Sequence, residues 1–255
     1  MSRSRLILAL YLLPLCLFAQ ITSGTIEYLE TRTFPYNDWM SNEMKERMDE
    51  MRASGELDRI GVLSFNQTAF SYSQKPRERP TNANRDRGGW GGSWMRQATD
   101  NPDVFYTNMQ DSSIVEKRRI LDRSFIIQDD WQVPEWEIPE NQRPNMAYTL
   151  PSEVAYAVSA EGDTLTAYFS RSIPMGIGPR GYGGLPGAIV YLKVERDQRA
   201  TEYILQTMQP ASEATELTIP EDGDVVSRER FDEMDEQRRE SRERRMRSWR
   251  RTRRN

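Results

Sequence analysis

The chain has 255 residues, room for one large domain or two small ones. It contains no histidine and one cysteine, which excludes Ser-His-Asp and Cys-His nucleophile arrangements and any imidazole metal site, and leaves chemistry to carboxylates, Lys, Arg, Tyr and hydroxyls. The net charge of −4 conceals a split: two arginines lie in residues 1–19, ten arginines against two glutamates give +8 in residues 238–255, and the stretch between carries −14.

Residues 1–19 read as a secretory signal peptide, with Arg3 and Arg5 ahead of an apolar run from Leu6 to Phe18 and Ala19 at the expected cleavage point. The run is too short for a membrane-spanning helix. Cys16 leaves with it, and Leu15 is too bulky for a lipidation signal, so the mature chain is expected to hold no thiol and no disulfide.

Apolar and polar residues then alternate in runs at 24–33, 62–73, 104–109, 113–127, 154–160, 163–171, 188–196 and 201–208. Each reads as a strand with one buried face, and together they predict an antiparallel meander. The turn at Glu161, Gly162 and Asp163 marks a hairpin between two of them. One segment breaks the rhythm. Over 38–52, Met40, Met44, Met48 and Met51 form a helical stripe with Asn37 as N-cap, predicted to pack on the open sheet face; a soft-metal site is the rarer use of such spacing.

Two segments look unfolded. Residues 75–101 are rich in Gly, Pro, Arg and Asn without periodicity, which predicts a disordered insertion. The arginines beside Trp90 and Trp94 have the composition of RNA-contacting segments. In an exported chain, no nucleic-acid partner is expected. Residues 225–255 form a charged, Arg-rich helix or tail, capped by Ser227, in which Met246 and Trp249 are the only apolar residues after Phe231 and Met234. A helix without an apolar face projects into solvent; the functional use of such an arm is an anionic surface such as phospholipid or lipopolysaccharide, with Trp249 at the interface.

The stretch 176–187, GIGPRGYGGLPG, contains a literal G-x-G-x-x-G at Gly176, Gly178 and Gly181. A dinucleotide site needs a helix opening on the phosphate, whereas Pro179 and Pro186 interrupt and residues 188–196 alternate as a strand. The loop is therefore read as a wide connector, with Tyr182 and Leu185 folding back as anchors. Asp129 with Asp130, adjacent on a strand, point to opposite faces, and the EDGD run at 221–224 lacks the spaced ligands of a calcium loop.

The segment 172–194, SIPMGIGPRGYGGLPGAIVYLKV, resembles the signature of the GLPGLI family of exported Bacteroidota proteins. Ile173, Pro174, Gly178, Pro179, Tyr182, Gly184, Leu185, Pro186, Gly187 and Ile189 occupy matching positions. Ala188 stands where the family usually has leucine, and Ser152 lies near a position where many members have cysteine. The strand at 166–170 and the pair Trp136 and Ile138 match further family features, as does the exit through Ile219, Pro220 and Gly223. The resemblance implies an exported protein, periplasmic or facing the outer membrane, of unassigned activity, and an outer-membrane transporter or other envelope protein as partner.

The fold expected is mainly β: a curved antiparallel sheet or half-barrel over 20–224 with one packed helix, followed by a projecting helix over 225–255. The function expected is a non-enzymatic binding or accessory module of the cell envelope. The alternatives are a carboxylate-dependent hydrolase, or surface binding through residues 238–255. No catalytic, cofactor or metal residue is assigned. The ligand face is placed near the 176–187 loop with Trp136, Tyr168, Tyr182 and Leu185, whose plainer role is packing.

Overall fold

The computed structural model describes residues 21–36, 40–76, 102–146 and 150–254. The expected signal at 1–19, the expected cap Asn37, Asn255 and all but the first two residues of the 75–101 insertion, Trp90 and Trp94 included, lie outside the described residues.

The alternating runs become strands of one open, curved sheet. They are β1 (Gly24–Thr33), β4 (Val104–Asn108), β7 (Glu153–Val158), β8 (Thr164–Ser170), β9 (Ala188–Arg196) and β10 (Arg199–Pro210). Two runs read as single strands fold instead as hairpins. Residues 62–73 split into β2 (Arg59–Phe65) and β3 (Ala69–Gln74), because Asn66 Oδ1 accepts from the Thr68 and Ala69 N–H groups, 3.0 Å each, and turns the chain. Residues 113–127 split into β5 (Ser113–Ile120) and β6 (Arg123–Asp130) about Leu121, whose φ of 58° is one a leucine rarely adopts. A short β11 (Asp224–Val226) completes eleven strands.

The sheet is two meanders joined side by side. Strands β1 to β6 run in order from the middle to one edge, β10 back to β7 run to the other, and β1 pairs β10 at the seam. Beyond β6, β11 adds in parallel. To reach it from the seam, residues 211–223 strap across the sheet, fixed at the start by Thr215, whose N–H donates to Ser23 Oγ at 2.7 Å and whose carbonyl accepts from Asn66 at 3.0 Å.

One face carries the core. Ile26 and Tyr28 of β1, Leu63 and Phe65 of β2, Phe70 and Tyr72 of β3 and Phe169 of β8 are fully or almost fully buried on it. The 171–187 connector closes over them by inserting Ile173, Ile177 and Leu185, each nearly without solvent contact.

The two helices depart only in part from the roles expected of them, the first by not packing on the sheet and the second by docking at its start. Helix α1 (Asn42–Ala53), capped by Ser41 through the Met44 N–H at 3.3 Å, buries no residue, and Met44 is exposed. The methionine stripe does not pack on the sheet, contrary to the expectation. Its contacts are local: the Arg52 guanidinium lies about 6 Å over the rings of Phe34 and Tyr36, and the Tyr36 hydroxyl donates to Asp49.

Helix α2 (Arg228–Arg254) is the one that docks, through its first two turns. Ser227 Oγ accepts from the Arg230 N–H at 3.2 Å, Phe231 packs edge-on to Phe125 at 6.0 Å between centroids, and Met234 borders the same small cluster. Among the described residues no helix is long and apolar enough to cross a membrane. Phe231→Ala should cost about 3 kcal/mol and strip hydrogen-exchange protection from residues 229–234 while β8 and β9 keep theirs.

The β7 edge is closed by a non-strand segment. Gln142 donates its amide to the Val154 carbonyl at 2.8 Å and accepts from the Val154 N–H at 2.7 Å, while Glu137 and Asn145 pair with Tyr156 and Ser152 on either side.

Candidate functional site

The connector between β8 and β9 is built by backbone that pairs with itself and with the strand it feeds. The Ile173 and Ile177 carbonyls accept from the N–H groups of Ala188 and Ile189, both at 2.9 Å, and Gly176 accepts from Gly184, also at 2.9 Å. Two indoles pin the far side: Trp131 donates to the Gly181 carbonyl at 2.7 Å and Trp136 to that of Gly183 at 2.9 Å. Beneath, the buried Tyr28 hydroxyl donates to the Ile189 carbonyl at 2.6 Å. A single 3-10 turn, Pro179–Gly181, is all the helix the loop contains, and β9 starts directly after Gly187. The connector reading holds and no helix N-terminus faces the glycines.

Arg180 is the residue this loop delivers. Held at φ 53° within the turn, it lays its guanidinium 4.5 Å over the Phe105 ring and 3.9 Å from Asp103, with the side chain 21% exposed. It faces Glu30 of β1, a carboxylate with no solvent exposure that accepts from Arg32 at 2.5 Å, Gln74 at 2.6 Å and the Tyr72 hydroxyl at 3.4 Å. Burial alone pushes the Glu30 carboxyl up. Arg32, Arg180 and the Gln74 hydrogen bond outweigh it and hold the group below the usual carboxylate range. Glu30 is therefore ionised at neutral pH and is no proton donor there.

The cluster continues across the sheet as a line of alternating charges. Arg118 of β5 reaches Asp103 at 3.3 Å and Glu116 at 3.1 Å, and Arg228 at the base of α2 bridges Glu116 at 2.7 Å and Asp129 at 2.6 Å. Phe105 lies under both Arg180 and Arg118. Among the described residues the buried carboxylates are Glu30 and Glu116, and both are thus spent on arginines. This line ties the connector to the root of α2, and its chemistry is structural clamping.

The sequence-selected residues do not all converge. Ile173, Gly178, Pro179, Leu185 and Gly187 are buried in or under the connector, while Pro174, Gly184 and Pro186 are exposed on its surface. Tyr182 is half-buried, and burial pushes its hydroxyl up to about 12. Trp136 supports the loop from a segment that meets β7 and the adjoining Ser152 through isolated bridges at Glu137 and Asn145 rather than as a strand. Tyr168 lies on the opposite face: it pairs with Tyr191, 5.8 Å between rings, in the phase opposite to Ala167 and Leu192. Sequence reading passed over Arg180, Glu30, Glu116 and Arg228. For Glu30 a signal existed, since it follows Ile26 and Tyr28 at the inward phase of β1.

The sheet's other face holds open space. Between it and residues 216–222 of the strap lies a groove of about 840 Å³, floored by Val62, Ser64, Ser71, Ser73, Val104 and Lys117. Lys117 is paired with Asp222 at 3.1 Å, so the EDGD run serves the strap and β11, where Asp224 meets Arg123 at 2.6 Å. Among the described residues no group of three or more acidic or thiol side chains is placed to hold a metal.

No protein-family model matches the chain, and no curated protein does. Among solved structures it is similar to PNGF-II in a P21 crystal form, with 9% identity and a TM-score of 0.48 over 84% of this chain and 33% of that one. A C2 form of PNGF-II gives 9% identity and a TM-score of 0.45 over 80% and 31%. The chain spans about a third of the length of the solved chains it matches, and a likeness this distant carries no argument about activity.

Proposed function

We propose that the protein is an exported, non-enzymatic binding module of the cell envelope, of the GLPGLI type its connector resembles, and that its working part is the basic arm of α2. The observation that carries this is the way α2 is held. Phe231, Met234 and Arg228 fix only its first turns, and the helix then continues to Arg254. At 1.5 Å per residue, the part after Met234 is about 30 Å long. Its +8 over 238–255 is set beside a body of −14. A body with that charge is repelled by anionic membranes, so contact falls to the arm. The connector face supports a scaffold role, being filled by its own side chains rather than open to a ligand. An outer-membrane transporter or another envelope protein is the partner this scaffold would present to the surface.

The test is sedimentation of the chain lacking residues 1–19 with anionic phospholipid vesicles. Binding is expected at about 0.05 M salt and should be largely lost near 0.5 M, where screening shortens to a few ångströms. Deletion of 238–255 should abolish it. Undiminished sedimentation of the deleted chain defeats the reading.

A further inference from the structure

The arm is not equally basic all round, and its two sides would meet a membrane differently. Helix α2 is continuous from Arg228 to Arg254, so residues three or four apart share a side. Positions 238, 242, 245, 249 and 253 form one such row: Arg238, Arg242, Arg245, Trp249 and Arg253. Met246 falls beside it, and Arg239 and Arg250 flank it. Both apolar residues of the segment therefore share a side with six of its ten arginines, and neither glutamate joins them. The other side holds Glu240 and Glu243 with Arg244, Arg247, Arg251 and Arg254, a net of +2 against +6. On that side Glu240 is engaged within the helix by Arg244 at 3.2 Å, and at the start of the basic side Arg238 and Arg239 both engage Asp235 at 2.8 Å.

From this juxtaposition we infer that the arm lies flat on an anionic phospholipid surface along its 238–242–245–249–253 row, with position 249 at the headgroup boundary. The inference rests on the proposed function and adds orientation to it. A Trp and a Met bordered by arginines is the pattern of an interfacial helix: the apolar pair enters the headgroup region while the guanidiniums pair bidentately with lipid phosphates. The 17 residues from 238 to 254 give a contact line of about 26 Å. The preceding stretch 228–237 carries five acids against two arginines. It is repelled by the same surface, so contact begins at about Arg238 and the β body stands off.

The orientation is tested with charge-matched pairs in the chain without residues 1–19, using vesicles of mixed phosphatidylcholine and phosphatidylglycerol and, as control, phosphatidylcholine alone. Arg242→Glu with Arg245→Glu should weaken partition at least about tenfold more than Arg247→Glu with Arg251→Glu, although both change the net charge equally. Trp249→Ala, which leaves charge untouched, should weaken it several-fold, by roughly the loss of one interfacial aromatic. Equal losses from the two pairs, or an unaffected Trp249→Ala chain, overturn the flat, one-sided mode while leaving the arm as the binding element. Binding that survives deletion of 238–255 overturns both that mode and the proposed function.

Discussion

Glu30→Ala is expected to cost about 3–5 kcal/mol of stability, read as a lower urea midpoint at unchanged m-value. The size follows from what is left behind. Glu30 has no solvent exposure and answers Arg180, a cation brought under the connector beside aromatic rings. Without the carboxylate, the Gln74 amide loses its acceptor and Arg180 loses a nearby counter-charge. Glu30→Gln keeps the volume and a hydrogen-bond acceptor and should fall between wild type and alanine. The pH dependence has a definite sign. Because the folded-state carboxyl lies below its unfolded value, the stabilisation is fully present above the unfolded value of about 4.3 and is lost as pH falls through the folded one. A urea series from about pH 6 to pH 3 should show this decline in the wild type and a flatter one in Glu30→Gln. Equal slopes would mean that Glu30 is not the group responsible.

Gly187→Ala is the second large loss expected, about 3 kcal/mol or more. A Cβ there would sit 2.2 Å from the Ser170 carbonyl oxygen and 2.6 Å from its carbon, both backbone atoms of the paired strand end. Neither can rotate aside, so β8 and β9 must part where the connector leaves and re-enters the sheet. Gly162, in the β7–β8 hairpin, is the control. Its φ of 84° favours glycine, but nothing lies within 4 Å of a Cβ, so Gly162→Ala should cost only the conformational strain, about 1 kcal/mol. Thermal melts of the two variants should differ by several degrees, and near-equal melting points would remove the steric explanation.

Much of the sheet was legible because one of its faces meets water. In β1, residues 24–30 alternate buried and half-buried without a break, and the 24–33 run coincides with the strand. The hairpin at Gly162 was legible from a residue that tolerates positive φ. The β5–β6 turn was not, because it puts Leu121 in the left-handed region, and no local propensity announces a leucine there. β11 was hidden by length: three residues carry no period, and their partners in β6 are 99 residues away in sequence. The connector's route was readable from its glycines and prolines, but the use of Arg180 was not. An arginine between Pro179 and Gly181 looks like solvated loop until Glu30 and Phe105, from β1 and β4, are placed beside it. The methionine stripe misled because period alone says which residues share a side of a helix, not that the side is covered.

The side-chain amide of Gln142 occupies the slot that one more peptide would fill beside Val154, and at the opposite margin β11 offers only three residues before the chain turns into a helix. A ribbon of eleven strands with both selvedges finished in this way has a fixed width. Among the described residues, copies crowded together meet no long running hem on which to stitch a twelfth strand.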